Sequence, residues 1–324
     1  MRVLLVGGAG YIGSHVALAF LDKGHEVGIL DNLSSGLREN LHPDSQFFEG
    51  DILDTQRVDA VCSEGWDALI HLAAFKAAGE SMIIPEKFSV NNITGSLNLM
   101  IAAVHHNIQN FVLSSSAAVY GEPEYLPIDE THPTKPTNYY GFTKLEIERN
   151  LKWYDQLKGL KFASLRYFNA AGYDPSGRVT GLEKNPANLI PVVMEAAVGV
   201  RDELLVFGND YDTLDGTGVR DYIHVTDLAD AHVKATEKVA ASKQSVLVNL
   251  GSETGLSVLE IIESARKITG RKIPMKIVDR RPGDPAKLVA SADHAYKLLN
   301  WKAQFSSAEE LIETTWQVYK KTYG

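Results

Sequence analysis

The sequence has almost no cysteine and no long apolar run. The single cysteine, Cys62, excludes an internal disulfide bond and a cysteine-based metal cluster, and we expect it to be a core side chain. The apolar start, MRVLLVGGAGYIG, turns glycine-rich after a few residues, which is too short for a signal sequence or a membrane-spanning helix. We therefore expect a cytoplasmic protein without a membrane partner.

Positive charge is also in short supply. The 32 lysines and arginines face 41 aspartates and glutamates, which gives a net charge of −9. Such an acidic chain is a poor candidate for binding nucleic acid, so a few local cations must meet any anionic ligand. His105 and His106 lack companion ligands at metal spacing, and no metal site is expected.

Short apolar runs alternate with helical patterns through the first half of the chain, and one of these patterns predicts a long helix from Pro85 to His106. The runs RVLLV, EVGIL, DALIHLA, NFVLSSS and KFASLRYF predict strands of a parallel sheet that is covered on both faces. Strand–helix alternation implies right-handed βαβ units. The predicted fold class is therefore α/β, with a Rossmann-like, doubly wound parallel sheet.

The pattern changes after about residue 170. Residues 170–188 are rich in Gly, Pro, Asn and Asp and predict a long loop, a kind that is often functional. The segment 225–250 predicts one more helix and strand that return to the large sheet. We therefore predict a dinucleotide-binding domain over 1–170 with 225–250, and a smaller, discontinuous α/β substrate domain within 171–324.

Gly7, Gly10 and Gly13 form a GxxGxxG pattern between the first strand and the first helix. Glycines let the backbone turn sharply and approach a pyrophosphate, and the helix N-terminus offers free N–H groups. The spacing differs by one residue from GxGxxG, and either pattern alone is weak. The strand before it and the helix after it make this loop a predicted dinucleotide site.

Asp31 ends the second predicted strand, 18 residues after Gly13. A carboxylate at this position can accept both ribose hydroxyls and would repel a 2′-phosphate, which favours NAD over NADP. Arg38 in the same loop keeps NADP as an alternative.

Two adjacent tyrosines precede a lysine in the stretch NYYGFTK. Lys144 follows Tyr140 by four residues and Tyr139 by five, so on a helix Tyr140 is its partner and Tyr139 packs elsewhere. Lowering a phenol pKa by about 3 units requires about 4 kcal/mol. One cation about 5 Å away supplies roughly 3 kcal/mol, and an oxidised nicotinamide ring would supply the rest. The spacing predicts a general base beside NAD⁺, with a chance pair on a surface helix as the alternative.

Serines follow the strand in FVLSSSAAVYG. Open α/β sheets bind ligands at the carboxyl ends of their strands. Ser114 and Ser116 are expected on the same side of the strand, where a hydroxyl can share a substrate proton with Tyr140.

Together, the motifs GGAGYIG, DNL, GDI, SSSAAVYG, YGFTK and RYFNAAG resemble those of the extended short-chain dehydrogenase/reductases. The segments FKAAGES, FGNDYDTLDGTGVRDYIHVTDLADAH and RRPGD are similar, more narrowly, to the UDP-glucose (UDP-galactose) 4-epimerase family. The resemblance covers essentially the whole chain. It implies NAD as cofactor, a UDP-sugar as substrate and a homodimer as assembly.

The resemblance also implies roles for individual residues. Tyr140 would be the catalytic base, Lys144 its electrostatic partner and ribose ligand, and Ser116 the hydroxyl that contacts the substrate O4. The NAD site would be lined, besides Tyr140 and Lys144, by Gly7, Gly10, Tyr11, Ile12, Gly13, Asp31, Asn32, Ser35, Gly36, Asp51, Ile52, Leu72, Ala73, Ala74, Lys76, Asn91 and Phe168. The UDP-sugar would contact Lys76, Ser116, Tyr140, Asn169, Asn188, Leu189, Phe207, Arg220, Arg281, Asp284 and Leu288.

The implied reaction interconverts UDP-glucose and UDP-galactose by transient oxidation at C4. Tyr140 would take the O4 proton while NAD⁺ accepts the C4 hydride, the 4-keto sugar would turn over, and hydride would return to its other face. Arg220 and Arg281 would anchor the diphosphate meanwhile. Leu288 stands where some members have a large tyrosine, which suggests room for the N-acetyl group of UDP-GlcNAc or UDP-GalNAc.

Three alternatives stay open. The first is a sugar-nucleotide 4,6-dehydratase. Such enzymes typically have a carboxylate pair just after the active-site strand, where this chain has Ala117 and Ala118, and this difference argues against a dehydratase. Ala118 also replaces a Thr or Ser that many epimerases carry. Another UDP-sugar-modifying enzyme of the same family is the second alternative. The third is a non-catalytic NAD-binding regulator, which would not need the set of Ser116, Tyr140 and Lys144.

Overall fold

The structure is a computed structural model that describes residues 1–183, 186–281 and 284–324. The strands are β1 (Arg2–Val6), β2 (Glu26–Asp31), β3 (Gln46–Glu49), β4 (Ala68–His71), β5 (Asn110–Ser114), β6 (Lys161–Tyr167), β7 (Asn169–Ala171), β8 (Leu204–Phe207), β9 (Val219–Arg220), β10 (Tyr222–His224), β11 (Val246–Leu250), β12 (Leu256–Ser257), β13 (Met275–Val278) and β14 (Lys287–Leu288). The helices are α1 (Tyr11–Asp22), α2 (Thr55–Cys62), α3 (Ala78–Ser81), α4 (Pro85–Phe88), α5 (Gly95–His105), α6 (Tyr139–Lys158), α7 (Leu189–Ala197), α8 (Val225–Ser242), α9 (Val258–Thr269), α10 (Asp293–Leu299) and α11 (Ala308–Tyr323).

Seven parallel strands form the large sheet, in the order β11-β6-β5-β4-β1-β2-β3. The chain builds outward from β1 in one direction and from β4 in the other, so the strand order reverses between these two strands. This topology confirms the predicted doubly wound, Rossmann-like fold class. In such sheets, ligands bind at the carboxyl ends of the strands, near the point of reversal.

Both faces of the sheet are covered, as the apolar strands predicted. Along β1, Val3 and Leu5 pack into a core with α1 and α8, whereas Leu4 and Val6 pack into a core with α2, α5 and α6. Side chains alternate between the faces of a strand, so an apolar residue at every position requires helices on both sides. Cys62 lies in the second core, fully buried.

The helical run predicted after Pro85 is not one regular α-helix. A π-helical segment, Ser89–Thr94, separates α4 from α5. π-Helical segments are rare in proteins. Where they occur, they often lie at functional sites. The predicted cofactor residue Asn91 lies within this one.

The second half of the chain builds smaller sheets beside the large one. β8 pairs with β13, β7 pairs with β10, and β9 lies between β12 and β14. Helices α7, α9 and α11 share a core with β8, which includes the fully buried Ile261, Ile262 and Leu311. β11 joins the large sheet next to β6. The exact division of the chain into two domains stays a prediction.

Within the described part of the chain, every helix is too short or too polar to cross a lipid bilayer.

Candidate active site

The turn after β1 is packed so tightly that two of its positions accept only glycine. Gly7 has φ +88°, and a Cβ there would lie 2.6 Å from the backbone nitrogen of Ala73. A Cβ on Gly13 would lie 2.2 Å from the carbonyl oxygen of Gly7. These contacts bring the N-terminus of α1 against the carboxyl ends of β1 and β4, which is the geometry required for a helix to receive a pyrophosphate.

The carboxylate of Asp31 closes this turn from the neighbouring strand. It accepts hydrogen bonds from the backbone nitrogens of Ala9, at 3.0 Å, and Leu33, at 2.8 Å. Burial raises the pKa of Asp31, and the two backbone hydrogen bonds partly offset this effect. Arg38 is exposed and forms an ion pair with Glu49. An ionised carboxylate has room for further donors, so Asp31 fits a ribose diol.

The residues predicted for the cofactor site follow the ends of neighbouring strands. Gly7, Gly10, Tyr11, Ile12 and Gly13 follow β1; Asp31, Asn32, Ser35 and Gly36 lie at the end of β2; Asp51 and Ile52 follow β3; Leu72, Ala73, Ala74 and Lys76 follow β4; and Phe168 follows β6. Several are linked directly. The Asn32 amide donates to Asp51 at 2.7 Å, and Asn91 donates to Asn92, which in turn accepts from the backbone of Phe75. The parallel sheet therefore brings these residues together at the carboxyl ends of its strands.

Tyr140 lies in the first turn of α6, where Asn138 caps the helix by accepting from the Gly141 nitrogen at 2.9 Å. A Cβ on Gly141 would lie only 2.3 Å from the carbonyl oxygen of Ala118. The helix thus touches the 3₁₀ turn 117–119, which Ser116 caps through a bond from the Ala118 nitrogen. This close approach brings the Ser116 hydroxyl near the Tyr140 phenol, where it lowers the pKa of that phenol.

Lys144 lies one turn further along the same face of α6. Its buried ammonium donates to the carbonyl oxygen of Ser114 at 2.7 Å and lies 5.9 Å from the centre of the Tyr140 ring. Burial lowers the pKa of Lys144 to about 8, so the side chain stays mainly charged at neutral pH.

The Tyr140 phenol is protonated in this environment. Burial raises the pKa of Tyr140, and the nearby Ser116 hydroxyl lowers it by less. The protein's own groups therefore do not produce the predicted phenolate, even with the Lys144 ammonium nearby. The predicted lowering of the pKa requires a further positive charge at the site.

Ser114 differs from its predicted arrangement. β5 ends at Ser114, so Ser116 lies beyond the strand, and the argument from strand alternation does not extend to it. The Ser114 hydroxyl contacts Nε2 of His232 at 2.6 Å, and Nδ1 of His232 contacts the Leu228 carbonyl at 2.8 Å. Since Nδ1 must donate to that carbonyl, Nε2 accepts from Ser114. Ser114 thus lends the site its carbonyl oxygen rather than its hydroxyl.

Glu148 and Arg166 form a buried ion pair beside these residues. This pair was not predicted from the sequence. The Glu148 carboxylate accepts from Nη2 of Arg166 at 2.5 Å, from its Nε at 2.9 Å and from the Ser115 hydroxyl at 2.6 Å. Two sequence signals were available. Glu148 continues the four-residue spacing of Tyr140 and Lys144, and Arg166 is a charge inside an apolar strand.

The residues predicted for the substrate diphosphate form a connected group. Arg220 forms an ion pair with Asp284, and its strand pairs with β14 so that Arg220 lies opposite Leu288. The guanidinium of Arg281 stacks 3.8 Å above the ring centre of Phe207, the last residue of β8. Arg220 lies in β9 and Arg281 follows β13, so this part of the chain supplies two cations although the whole chain is acidic. Leu288 and Phe168 both pack against the small core that contains Val119, which connects this group to the loop after Ser116.

Four more predicted residues have identifiable neighbours. The Asn169 amide donates to the carbonyl oxygen of Asp221 at 3.0 Å, next to Arg220. Asn188 and Leu189 begin α7, and Asn188 lines a small cavity with Tyr11 and Glu183. Lys76 forms an ion pair with Glu183 at 2.5 Å.

His105 and His106 have a companion that the sequence analysis did not expect. Asp59, on α2, contacts Nδ1 of His105 at 3.1 Å and Nε2 of His106 at 2.7 Å. The three side chains lie at the surface, away from the strand ends described above.

A Rossmann-like sheet, a glycine turn under a helix N-terminus, and a tyrosine, lysine and serine at the end of β5 define a dinucleotide-dependent enzyme of the short-chain dehydrogenase/reductase type. Residues 3–251 match the model of the NAD dependent epimerase/dehydratase family, and the chain belongs to that family.

Individual relatives are similar over nearly their full length. The UDP-glucose 4-epimerase of Bacillus subtilis (strain 168) is 46% identical, over 98% of this chain and 96% of the relative. The structure of UDP-glucose 4-epimerase from Bifidobacterium longum, in complex with NAD⁺ and UDP, superposes with a TM-score of 0.93 at 39% identity, covering 99% of this chain and 98% of the other. The UDP-Glc/GlcNAc 4-epimerase from Campylobacter jejuni superposes with a TM-score of 0.87 at 37% identity, covering 99% of both chains.

Proposed function

We propose that the protein is an NAD-dependent isomerase that interconverts UDP-glucose and UDP-galactose at C4. One observation supports this most strongly: Tyr140, Ser116 and Lys144 lie together at the end of β5, while Arg220 lies in β9 and Arg281 follows β13 in the second half of the chain. A proton acceptor at a hydroxyl and a distant anchor for a diphosphate are the two parts that this reaction needs.

NAD fits the carboxyl ends of the strands in the large sheet. The glycine turn places the start of α1 where a pyrophosphate binds, and Asp31 offers its carboxylate where an adenosine ribose would lie. A 2′-phosphate would meet that carboxylate, and Arg38 is engaged by Glu49, so NAD is favoured over NADP. NAD, when bound, supplies the acceptor and donor of hydride and the positive nicotinamide ring.

Tyr140 handles the proton of the sugar hydroxyl at C4. Ser116 lowers the pKa of the phenol, and Lys144 adds a positive charge that favours the phenolate. The phenolate accepts the O4 proton when C4 is oxidised and returns it when C4 is reduced from the other side. Because one group does both, the site is restored after each turnover.

The diphosphate would be held while the sugar turns. Arg220 has a carboxylate partner, Asp284, and the Arg281 guanidinium stacks on Phe207, so both cations are oriented in advance. Guanidinium groups bind phosphate oxygens in pairs, which suits a pyrophosphate linkage. The anchor and the reacting carbon are thus held by different parts of the chain.

The sugar pocket also has room for substrates with an N-acetyl group at C2. Leu288 contributes less bulk to this pocket than a tyrosine would, and one of the similar structures is a UDP-Glc/GlcNAc 4-epimerase. Comparing turnover of UDP-GlcNAc with that of UDP-galactose tests this extension, and no detectable reaction of the acetylated sugar would refute it.

The reaction is tested by running it in deuterated water. We expect UDP-glucose to yield UDP-galactose without deuterium at C4, because the same hydrogen is removed and returned. Deuterium at C4 would exclude the proposed mechanism. The absence of conversion for every UDP-hexose would favour a non-catalytic NAD-binding regulator, whereas a 4-keto-6-deoxy product would identify a dehydratase.

We also propose a homodimer that forms through α5 and α6. These helices pack side by side and carry apolar side chains that are more than half exposed: Val90 just before α5, Ile101 on α5, and Trp153 and Leu157 on α6. Exposed apolar side chains on neighbouring helices are typical of an interface, and the same helices of a second copy would cover them symmetrically.

A further inference from the structure

Helix α6 continues its functional face one turn beyond Lys144. Tyr140, Lys144 and Glu148 follow one another at four-residue intervals, so their side chains lie in a row. Glu148 is fully buried. A buried carboxylate is costly unless it is paired and hydrogen-bonded, so its presence beside the proposed site requires an explanation.

The Glu148 carboxylate connects α6 to the two strands beneath it. Ser115, which donates to it at 2.6 Å, lies between Ser114 and Ser116 at the end of β5. Arg166, which donates to it twice, lies in β6. Ser114 accepts from Lys144, and Ser116 lies near Tyr140. Glu148 thus fixes this face of α6 to the chain segment that surrounds both residues.

Arg166 extends this connection across the sheet. Its Nη1 donates to the hydroxyl of Tyr120 at 3.0 Å, and that hydroxyl donates to the Asn249 side chain on β11 at 2.6 Å. Arg166, Tyr120 and Asn249 are all buried. Every member has a partner, so the network is rigid rather than a source of strain.

We propose that Glu148 is a positioning residue for Tyr140 and Lys144. Its carboxylate locks α6 onto the end of β5, and it also places a negative charge one helical turn beyond the Lys144 ammonium. This inference rests on the function proposed above, because it assigns a role within the same site.

The charges around Lys144 give the proposal a measurable consequence. The groups that face its ammonium are Tyr140 and Glu148 on α6, the Ser114 carbonyl on β5 and the ring of His71 on β4. Burial lowers the pKa of His71 to about 3, with the Lys144 charge as a second cause, so this ring is neutral. Tyr167 on β6 is also neutral, since burial raises the pKa of its phenol. Glu148 is therefore the nearby anion that opposes the effect of burial on Lys144.

Removing that anion should shift the titration of Lys144 downward. Burial lowers the pKa of Lys144 to about 8, and Glu148 raises it from a still lower value. In Glu148→Gln, the buried Arg166 cation would also remain without its partner, so Lys144 would lose its proton at a lower pH than in the wild type. The alkaline limb of the pH profile of kcat/KM would move in the same direction.

Two measurements on the full chain with NAD bound test the proposal. Lysine labelled with ¹³C at Cε reports the titration of Lys144, assigned as the signal that Lys144→Met lacks, and needs no turnover. Steady-state assays report kcat and KM for UDP-glucose. For Glu148→Gln we expect the downward shift in the titration and a fall in kcat of about 10- to 100-fold, with KM little changed.

Glu146→Gln is the matched control, because it removes a carboxylate from the same helix that pairs with Arg149 near the surface. It should leave both readouts unchanged. If Glu148→Gln does not fold, Ser115→Ala and Glu148→Asp take its place. Ser115→Ala should lower kcat without shifting the titration, and Glu148→Asp should keep the titration near that of the wild type while kcat falls.

The outcomes separate this inference from the function on which it rests. A shifted titration in a protein that converts no UDP-sugar would sustain the role of Glu148 toward Lys144 and refute the proposed activity. A folded Glu148→Gln with unchanged titration and unchanged kcat would refute the role of Glu148 and leave the activity standing. A lower kcat with an unchanged titration would overturn the electrostatic part of the proposal.

Discussion

Burial opposes the ionisation that Tyr140 needs for its proposed role, and the neighbouring groups of the protein offset this effect only in part. Burial raises the pKa of its phenol, and the Lys144 ammonium lies 5.9 Å from the ring centre. A site that forms its base only when a cationic ring arrives would protect the protein from holding a buried phenolate at other times. The residue is thus prepared for proton transfer by its position and depends on a ligand for its charge.

Tyr140→Phe tests the proposed role of Tyr140 as the proton acceptor. The substitution removes the proton acceptor and keeps the ring, so NAD and UDP should bind as before. We expect kcat to fall by about 10²- to 10⁴-fold with little change in KM, because general base catalysis contributes only in the transition state. Steady-state kinetics and calorimetric titration with UDP measure the two effects, and a near-wild-type kcat would contradict the assignment.

Helix α6 is the element on which the site depends, and its N-terminus is held by backbone contact. Gly141 lies so close to the 117–119 turn that its missing Cβ sets the distance between Tyr140 and Ser116. Backbone–backbone contacts leave little freedom for adjustment, whereas side-chain contacts can shift by a change of rotamer. The distance between Tyr140 and Ser116 therefore depends on the absence of a side chain at Gly141.

Gly141→Ala tests this view of the element. A methyl group 2.3 Å from the Ala118 carbonyl must push the helix and the turn apart. We expect a loss of stability of about 1–3 kcal/mol, from denaturant unfolding, together with a lower kcat. Gly79→Ala is the control, since a Cβ there meets nothing within 4 Å and Gly79 also lies in a helix. Equal effects of the two substitutions would show that Gly141 has no special role.

The sequence predicted best those elements whose patterns are local. The apolar runs indicated the large-sheet strands, and the four-residue spacing placed Tyr140 and Lys144 on one face of α6. The π-helical segment around Asn91 has no comparable pattern, and the helix there was predicted as continuous. Where β5 stops is also set by tertiary contacts, which explains why Ser114 and Ser116 play different parts.

Long-range polar partners were harder still to predict. Nothing local in the sequence connects Glu148 to Arg166 or Ser114 to His232, since these pairs form only when the sheet is assembled. Asp59 joins His105 and His106 in the same way, by the packing of α2 beside α5. The expectation of no companion ligand came from spacing along the chain, which does not report neighbours in space.

At the scale of the whole molecule, the site is assembled from both halves of the chain. The end of β5 and the start of α6 contribute the proton-handling residues, and the smaller sheets contribute the cations. Leu288 and Asn169 lie where these parts meet. The two halves must therefore be correctly packed on each other before the proposed diphosphate anchor and the proton acceptor can serve one ligand.

The proposed homodimer depends on the exposed apolar side chains of α5 and α6. Trp153 and Leu157 leave more than half of their surface exposed on α6, and Ile101 does the same on the neighbouring α5. Light scattering on the wild type should give twice the chain mass of 35.6 kDa. Trp153→Glu combined with Leu157→Glu would place like charges across a symmetric interface, so this variant should run as a monomer.

Leu205→Glu is the control for that experiment. Leu205 is also an exposed leucine, but it lies on β8, away from α5 and α6. It should therefore leave the mass at that of the dimer. A monomeric wild type, or equal dissociation in both variants, would show that the apolar face of α5 and α6 serves some purpose other than pairing two copies. A dimer that survives the double substitution would place the interface elsewhere on the molecule.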